Sequence, residues 1–203
     1  MKVENRRKSV GGLLWLIDPC SGIVNSVLEN ASILTNDERT PFATVGDSIF
    51  YVACVPGLKT MLMRFYPVTK SFLEIKSFRL NGNPPVHYRE FSIKENVYFG
   101  LVNFDRKASE LWKYNETEGI RLLRRFDGQD NQYAVLSDFT DFAGKLYFLE
   151  SGKLYVSQGD TVTLVDDVKH LTFTSLKRCS DKLFLATEAG EAGQSLYLYG
   201  PRL

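Results

Sequence analysis

The sequence predicts a nearly all-β chain of repeated antiparallel four-stranded units, and three observations carry that prediction. Short apolar runs rich in aromatics recur along the 203 residues, with 14 Phe and 10 Tyr mostly beside Val, Leu and Ile. Turns bearing Pro, Gly and Asn punctuate those runs. Two strand landmarks also return together at a nearly constant interval.

Taken in chain order, the first element is a hairpin: Leu14-Trp15, the turn Asp18-Pro19-Cys20-Ser21-Gly22, then a strand over Ile23–Leu28. A complete unit follows, with strands at Phe42–Val45, Ile49-Phe50-Tyr51, Leu62-Met63 and Phe72–Lys76, the last pair joined by Tyr66-Pro67-Val68-Thr69-Lys70. The next unit repeats the order with His87–Ile93, Val97-Tyr98-Phe99, Leu111-Trp112 and Ile120–Arg125, turning at Asn115-Glu116-Thr117-Glu118-Gly119. The following one uses Tyr133–Phe142, Leu146-Tyr147-Phe148, Leu154-Tyr155 and Val162–Val165, turning at Gln158-Gly159-Asp160. A last copy runs through Leu171–Leu176, Leu183-Phe184-Leu185 and Leu196-Tyr197, stopping at Tyr199-Gly200-Pro201.

The Leu-aromatic or Leu-Met landmarks are separated by 48, 49, 43 and 42 residues, within the range of propeller blades. A four-stranded curved sheet cannot bury both faces until a neighbour stacks on it, so the pattern implies a β-propeller-like array of four or five blades, or part of a larger propeller. The first unit starts at its third strand and the last stops after its third. The two chain ends are therefore expected to complete one shared blade and remove the exposed sheet edges. Residues 1–10 read as a flexible basic tail and 11–203 as a single repeat domain.

Lys plus Arg, 25, nearly balance Asp plus Glu, 24, which argues against nucleic acid or an anionic membrane as the main partner. No apolar run reaches the length of a membrane-spanning helix. The stretch before Asp18 is too short for a signal-peptide core, so a cytoplasmic protein is expected, or a secreted one if a leader lies upstream. Cys20, Cys54 and Cys179 are odd in number and widely spaced, which predicts reduced structural thiols rather than a disulfide framework or zinc site.

Glu110-Leu111-Trp112-Lys113-Tyr114-Asn115-Glu116-Thr117-Glu118-Gly119 resembles the ELWxxDGT repeats of hyalin-type propellers. Gly144–Phe148 followed by Leu154-Tyr155-Val156 and Leu164–Val168 is similar in framework. More distantly, Met63–Phe72 looks like the arginine-tyrosine-aspartate-proline strand and turn of kelch repeats. Both resemblances imply a propeller and a recognition role.

Chemistry-bearing patterns are sparse. The two histidines, His87 and His170, leave few builders for a metal site or a Ser–His pair, and both read as solvated. No phosphate-cradling glycine motif occurs; Gly190-Glu191-Ala192-Gly193 reads as a turn. No cofactor and no metal are expected, and no residue is assigned a catalytic role. Arg6-Arg7-Lys8-Ser9 has the form of a kinase site but reads as solvated tail. Asn30-Ala31-Ser32 and Asn115-Glu116-Thr117 are sequons that matter only in a secreted chain.

The expected function is therefore a non-catalytic interaction module that presents propeller loops to a protein partner. Its candidate binding residues are His87, Tyr88 and Arg89 after Pro84-Pro85, and Asn103, Phe104, Asp105 and Arg106 between strands, because aromatic and Arg side chains anchor interfaces. The alternative is a carbohydrate-binding, lectin-like propeller, for which Asn103-Phe104-Asp105 and Asp130–Tyr133 supply an aromatic face with polar donors. A glycoside hydrolase is the third reading, with Asp138, Asp141, Asp166 and Glu188 as axial carboxylates.

Overall fold

The computed structural model describes residues 15–17, 24–26, 42–55, 59–78, 86–103, 107–128, 134–187 and 195–200. They form β-strands throughout, with one short 3-10 turn at Asp166–Val168. The strands β1 (Trp15–Ile17) and β2 (Val24–Ser26) pair as a two-stranded sheet. Blade 1 comprises β3 (Ala43–Val45), β4 (Ser48–Val55), β5 (Lys59–Tyr66) and β6 (Ser71–Phe78). Blade 2 comprises β7 (Val86–Ile93), β8 (Asn96–Asn103), β9 (Ala108–Asn115) and β10 (Gly119–Asp127). Blade 3 comprises β11 (Leu136–Phe142), β12 (Lys145–Glu150), β13 (Lys153–Gln158) and β14 (Thr161–Leu164). Blade 4 has β15 (Phe173–Cys179), β16 (Lys182–Thr187) and β17 (Leu196–Tyr199).

Within each blade every neighbouring pair is antiparallel and follows chain order. The innermost strands β3, β7, β11 and β15 lie side by side in sequence, which sets the blades around a common axis. This is the β-propeller arrangement expected from the repeat.

The landmark residues explain why the blades stack. Alternate residues of a strand face opposite sides of its sheet, so the two landmarks serve two different neighbours. Phe99 of β8 packs back on Val52, Leu62 and Phe78 of blade 1. Leu111 of β9 packs forward on Leu136, Leu146 and Phe148 of blade 3. Leu154 of β13 likewise packs forward on Phe173, Leu183 and Leu185 of blade 4. Aromatic edges lock the same seams, as where Phe78 meets Trp112 at 5.1 Å and Phe126 meets Tyr155 at 5.1 Å, both T-shaped.

First and second strands are joined by two-residue turns: Gly46-Asp47, Lys94-Glu95, Ala143-Gly144 and Ser180-Asp181. The first turn residue is left-handed in each, with φ between 52° and 54°, the backbone twist that such hairpins require. Bulges recur in the first strands, at Tyr88 in β7 and Thr174 in β15.

The expected shared blade differs from what is observed. Among the described residues β17 pairs with β16 alone, and β1–β2 joins no other sheet. The phase of the repeat gives the reason: the Leu14-Trp15 landmark makes β1 a third strand, and β17 already holds that place in blade 4. The tail at 1–10 lies outside the described residues.

Candidate functional site: a cleft between two blades

In an antiparallel four-stranded sheet the turn joining the first two strands and the turn joining the last two fall at the same end. A cleft of about 630 Å³ opens at that end between blades 1 and 2. Its rim carries three carboxylates, Asp47 and Glu95 from the two short turns and Glu116 from the β9–β10 turn, around a single cation, Arg64.

Arg64 points into the cleft from β5 with its side chain only 13% exposed. Its Nε donates to Ser48 Oγ at 2.9 Å and its Nη1 to Glu116 Oε1 at 2.6 Å. The guanidinium also lies over the Tyr66 ring at 4.5 Å and the Phe50 ring at 5.4 Å. Burial disfavours its charge, but the hydrogen bond and charge of Glu116 prevail and hold its pKa above the ordinary value.

The β9–β10 turn that delivers Glu116 is fixed from within. Asn115 Oδ1 accepts hydrogen bonds from the backbone N–H of Thr117 at 2.9 Å and of Glu118 at 3.3 Å, an Asx turn. Its Nδ2 donates to Asn96 Oδ1 at 3.1 Å, tying the turn to β8. The sequon asparagine thus has an internal structural task.

The same device recurs one blade on. Lys113 stands two residues after Leu111, as Arg64 stands two after Leu62. Its side chain is 5% exposed and its Nζ donates to Glu118 Oε2 at 2.8 Å and to Asp160 Oδ1 in the β13–β14 turn of blade 3. Arg121 holds the other oxygen of Asp160 at 2.8 Å. Burial lowers the pKa of Lys113, and the two carboxylates outweigh it so that the net displacement is upward. The same lysine, through its hydrogen bond, holds the Asp160 carboxyl below its usual range. The last turns of blades 2 and 3 therefore each reach back to neutralise a cation of the blade before.

The residues singled out from sequence fall elsewhere. His87, Tyr88 and Arg89 lie in strand β7 around its bulge, where the repeat predicts a strand over His87–Ile93, and their side chains are outside the described set. Asn103 closes β8 and is 3% exposed. Phe104, Asp105, Arg106 and Glu188 lie outside the described residues. The axial candidates are engaged with blade 4: Asp141 Oδ2 accepts from Arg178 Nη1 at 3.0 Å, and Asp138 stands 4.0 Å from Lys177. Asp166 and His170 are exposed near the 3-10 turn. Cys179 is an exposed free thiol, and no group of three or more metal-ligating side chains occurs among the described residues. No described helix is long and apolar enough to cross a membrane.

In the sequence Arg64 stands out only within the kelch-like segment, and Tyr66 there and at the start of the turn that follows. The signal for the site is a cation two residues past the landmark leucine with an acid in the next unit's turn, a pairing across 52 residues.

No family model matches the sequence, and no curated protein matches it. Solved structures do share its fold. The β-propeller domain of the Trilobed protease from Pyrococcus furiosus superposes with a TM-score of 0.57 over 93% of this chain and 59% of its own, at 10% identity. The extracellular domain of a hybrid two component system from B. thetaiotaomicron gives 0.54 over 88% of this chain and 23% of its own, at 15% identity. A GH74 enzyme of Niastella koreensis gives 0.52 over 78% and 28%, also at 15% identity. The chain spans less than two thirds of each of these proteins, and the likeness is one of fold.

Proposed function

We propose that this chain is an interaction module whose turn-bearing face, at the cleft between blades 1 and 2, receives a cationic side chain of a protein partner. The observation that supports this reading is the charge of the rim: three carboxylates surround one guanidinium that Glu116 and Ser48 already engage. Asp47 and Glu95 project, exposed, from two-residue turns, so an incoming Lys or Arg meets carboxylate acceptors. Charge at such a rim governs on-rate and salt dependence more than affinity.

A sugar would stack on an open aromatic face, and one face of the Tyr66 ring already carries Arg64. The hyalin-type kinship of the ELW segment and a cytoplasmic site are part of the same proposal. The first is supported by Glu110-Leu111-Trp112 forming a third strand, the second by the exposed thiol of Cys179.

Thermal melts with a lysine- and arginine-bearing peptide and with a panel of sugars test the reading. The basic peptide is expected to raise Tm at low salt, and Asp47→Asn with Glu95→Gln to abolish the shift. A shift produced by a sugar and not by the peptide would sink it in favour of a lectin.

A further inference from the structure

Two seams of the array share a plan and part company at one cross-strand pair. In blade 2 Lys113 of β9 lies directly opposite Arg121 of β10, and in blade 1 Arg64 of β5 lies directly opposite Leu73 of β6. The outer strand of each then bulges by one residue at the same place, Leu123 and Ile75, so the two registers are equivalent. Residues directly opposite one another share a face of the sheet.

The seam between blades 2 and 3 is closed by charge. Asp160, from the last turn of blade 3, is held by both oxygens, Oδ1 by Lys113 and Oδ2 by Arg121 at 2.8 Å. Glu118 completes a group of two cations and two carboxylates. The seam between blades 1 and 2 repeats the first half of this arrangement. Glu116, from the last turn of blade 2, is held through Oε1 by Arg64 at 2.6 Å, and its side chain is 73% exposed. The position of Arg121 is taken by Leu73, 48% exposed. Asp47 and Glu95 bring two further carboxylates to the rim, and here the cleft opens.

We propose that the cation Leu73 replaces is supplied by the partner protein as an arginine, which lies over Leu73 with its guanidinium on Glu116, as Arg121 sits on Asp160. This rests on the reading of the cleft as the receiver of a cationic side chain, and it specifies which cation and which seat. Three carboxylates against one guanidinium leave the rim two negative charges in excess. They come from three different turns, and a guanidinium, flat, weakly hydrated and with five donors, can serve acceptors in several directions where an ammonium is a compact, strongly hydrated charge. Leu73, with Val68 on the rim at 87% exposure, offers apolar surface to the arginine stem.

Thermal melts of the whole chain at low salt test this with two peptides that differ only in arginine or lysine at one position, and with Leu73→Arg, in which the chain supplies its own cation. Without peptide, Leu73→Arg is expected to raise Tm by about 2 °C, and to give no rise in a Glu116→Gln background. The arginine peptide should bind wild type at least about threefold more tightly than the lysine peptide, and its shift should be lost in Leu73→Arg. No rise in Leu73→Arg, or a rise that survives in Glu116→Gln, would overturn the seat and leave the proposed function standing. A peptide shift undiminished in Leu73→Arg, or equal affinity for the lysine peptide, would do the same. If neither peptide moves the wild-type melt, the reading of the cleft itself fails and this inference falls with it.

Discussion

Lys113 and Asp160 belong to adjacent blades and hold one another across 47 residues of chain, repeating the role that Arg64 and Glu116 play one blade earlier. The interfaces between blades 1 and 2 and between blades 2 and 3 thus have a buried leucine and aromatic seam with an ion pair at the turn end. The two contributions can be separated by mutation.

For the ion pair, Lys113→Ala is expected to cost about 2 kcal/mol, less than a fully buried pair because Glu118 and Asp160 stand half in solvent. Asp160→Asn should cost about 1 kcal/mol, with a coupling of about 0.5 kcal/mol or more in the double-mutant cycle, read by urea denaturation. The pH dependence has a definite sign. Asp160 is depressed in the folded state, so its contribution is present above the unfolded carboxyl pKa and fades as pH falls through the folded value. Lys113→Ala should flatten that acid limb; an unchanged limb would assign it to other carboxylates.

Tyr51 makes the opposite case. Its ring is fully buried, its hydroxyl has no hydrogen-bond partner among the described residues, and desolvation pushes its pKa up to about 12. An acid group raised in the folded state supports folding below its unfolded pKa and withdraws that support as pH rises toward the folded value. Wild type should lose stability between about pH 10 and 12, and Tyr51→Phe should lose less. At neutral pH the variant is expected to match wild type or exceed it by up to about 1 kcal/mol, since removing an unpaired buried hydroxyl relieves its desolvation.

The repeat predicts unequal costs for the same substitution at equivalent places. Leu111→Ala removes a fully buried side chain between blades 2 and 3 and should cost about 3 kcal/mol. Leu196→Ala, at the same landmark but 66% exposed, should change stability by about 0.5 kcal/mol or less. Equal losses in a dilute denaturation series would contradict the stacking order of the blades.

Gly152 tests a turn. It sits at φ +79°, and a Cβ there would meet Thr172 Cγ2 at 2.6 Å and Phe173 O at 3.1 Å. Gly152→Ala should therefore cost more than the roughly 1 kcal/mol of backbone strain expected at Gly46, which has φ +54° and nothing within 4 Å. A melt comparing the two variants decides it.

Much of this fold could be read from strand landmarks because they do two physical jobs at once. Leu62, Leu111 and Leu154 are invariantly spaced from turns that must break the strand, and each is large and apolar because a neighbouring blade covers it. The site was less legible. A charged residue within a strand, such as Arg64 or Lys113, reads as solvent-facing under alternation, and only the distant acid that meets it reveals a buried cation. His87–Arg89 stand in the strand that the repeat predicts over His87–Ile93, and β7 begins one residue before them. Asn103 looked like loop chemistry because of its polarity, yet it ends a strand whose residues from Val97 onward are buried.

The backward reach of the turns also gives the array a direction in time. Arg64 leaves the ribosome 52 residues before Glu116, and Lys113 leaves 47 before Asp160. At usual elongation rates each cation waits about 3–10 s for the carboxylate that neutralises it. A newborn blade is thus held slightly short of completion until its successor is made, so that the chain seals its seams one behind the growing point.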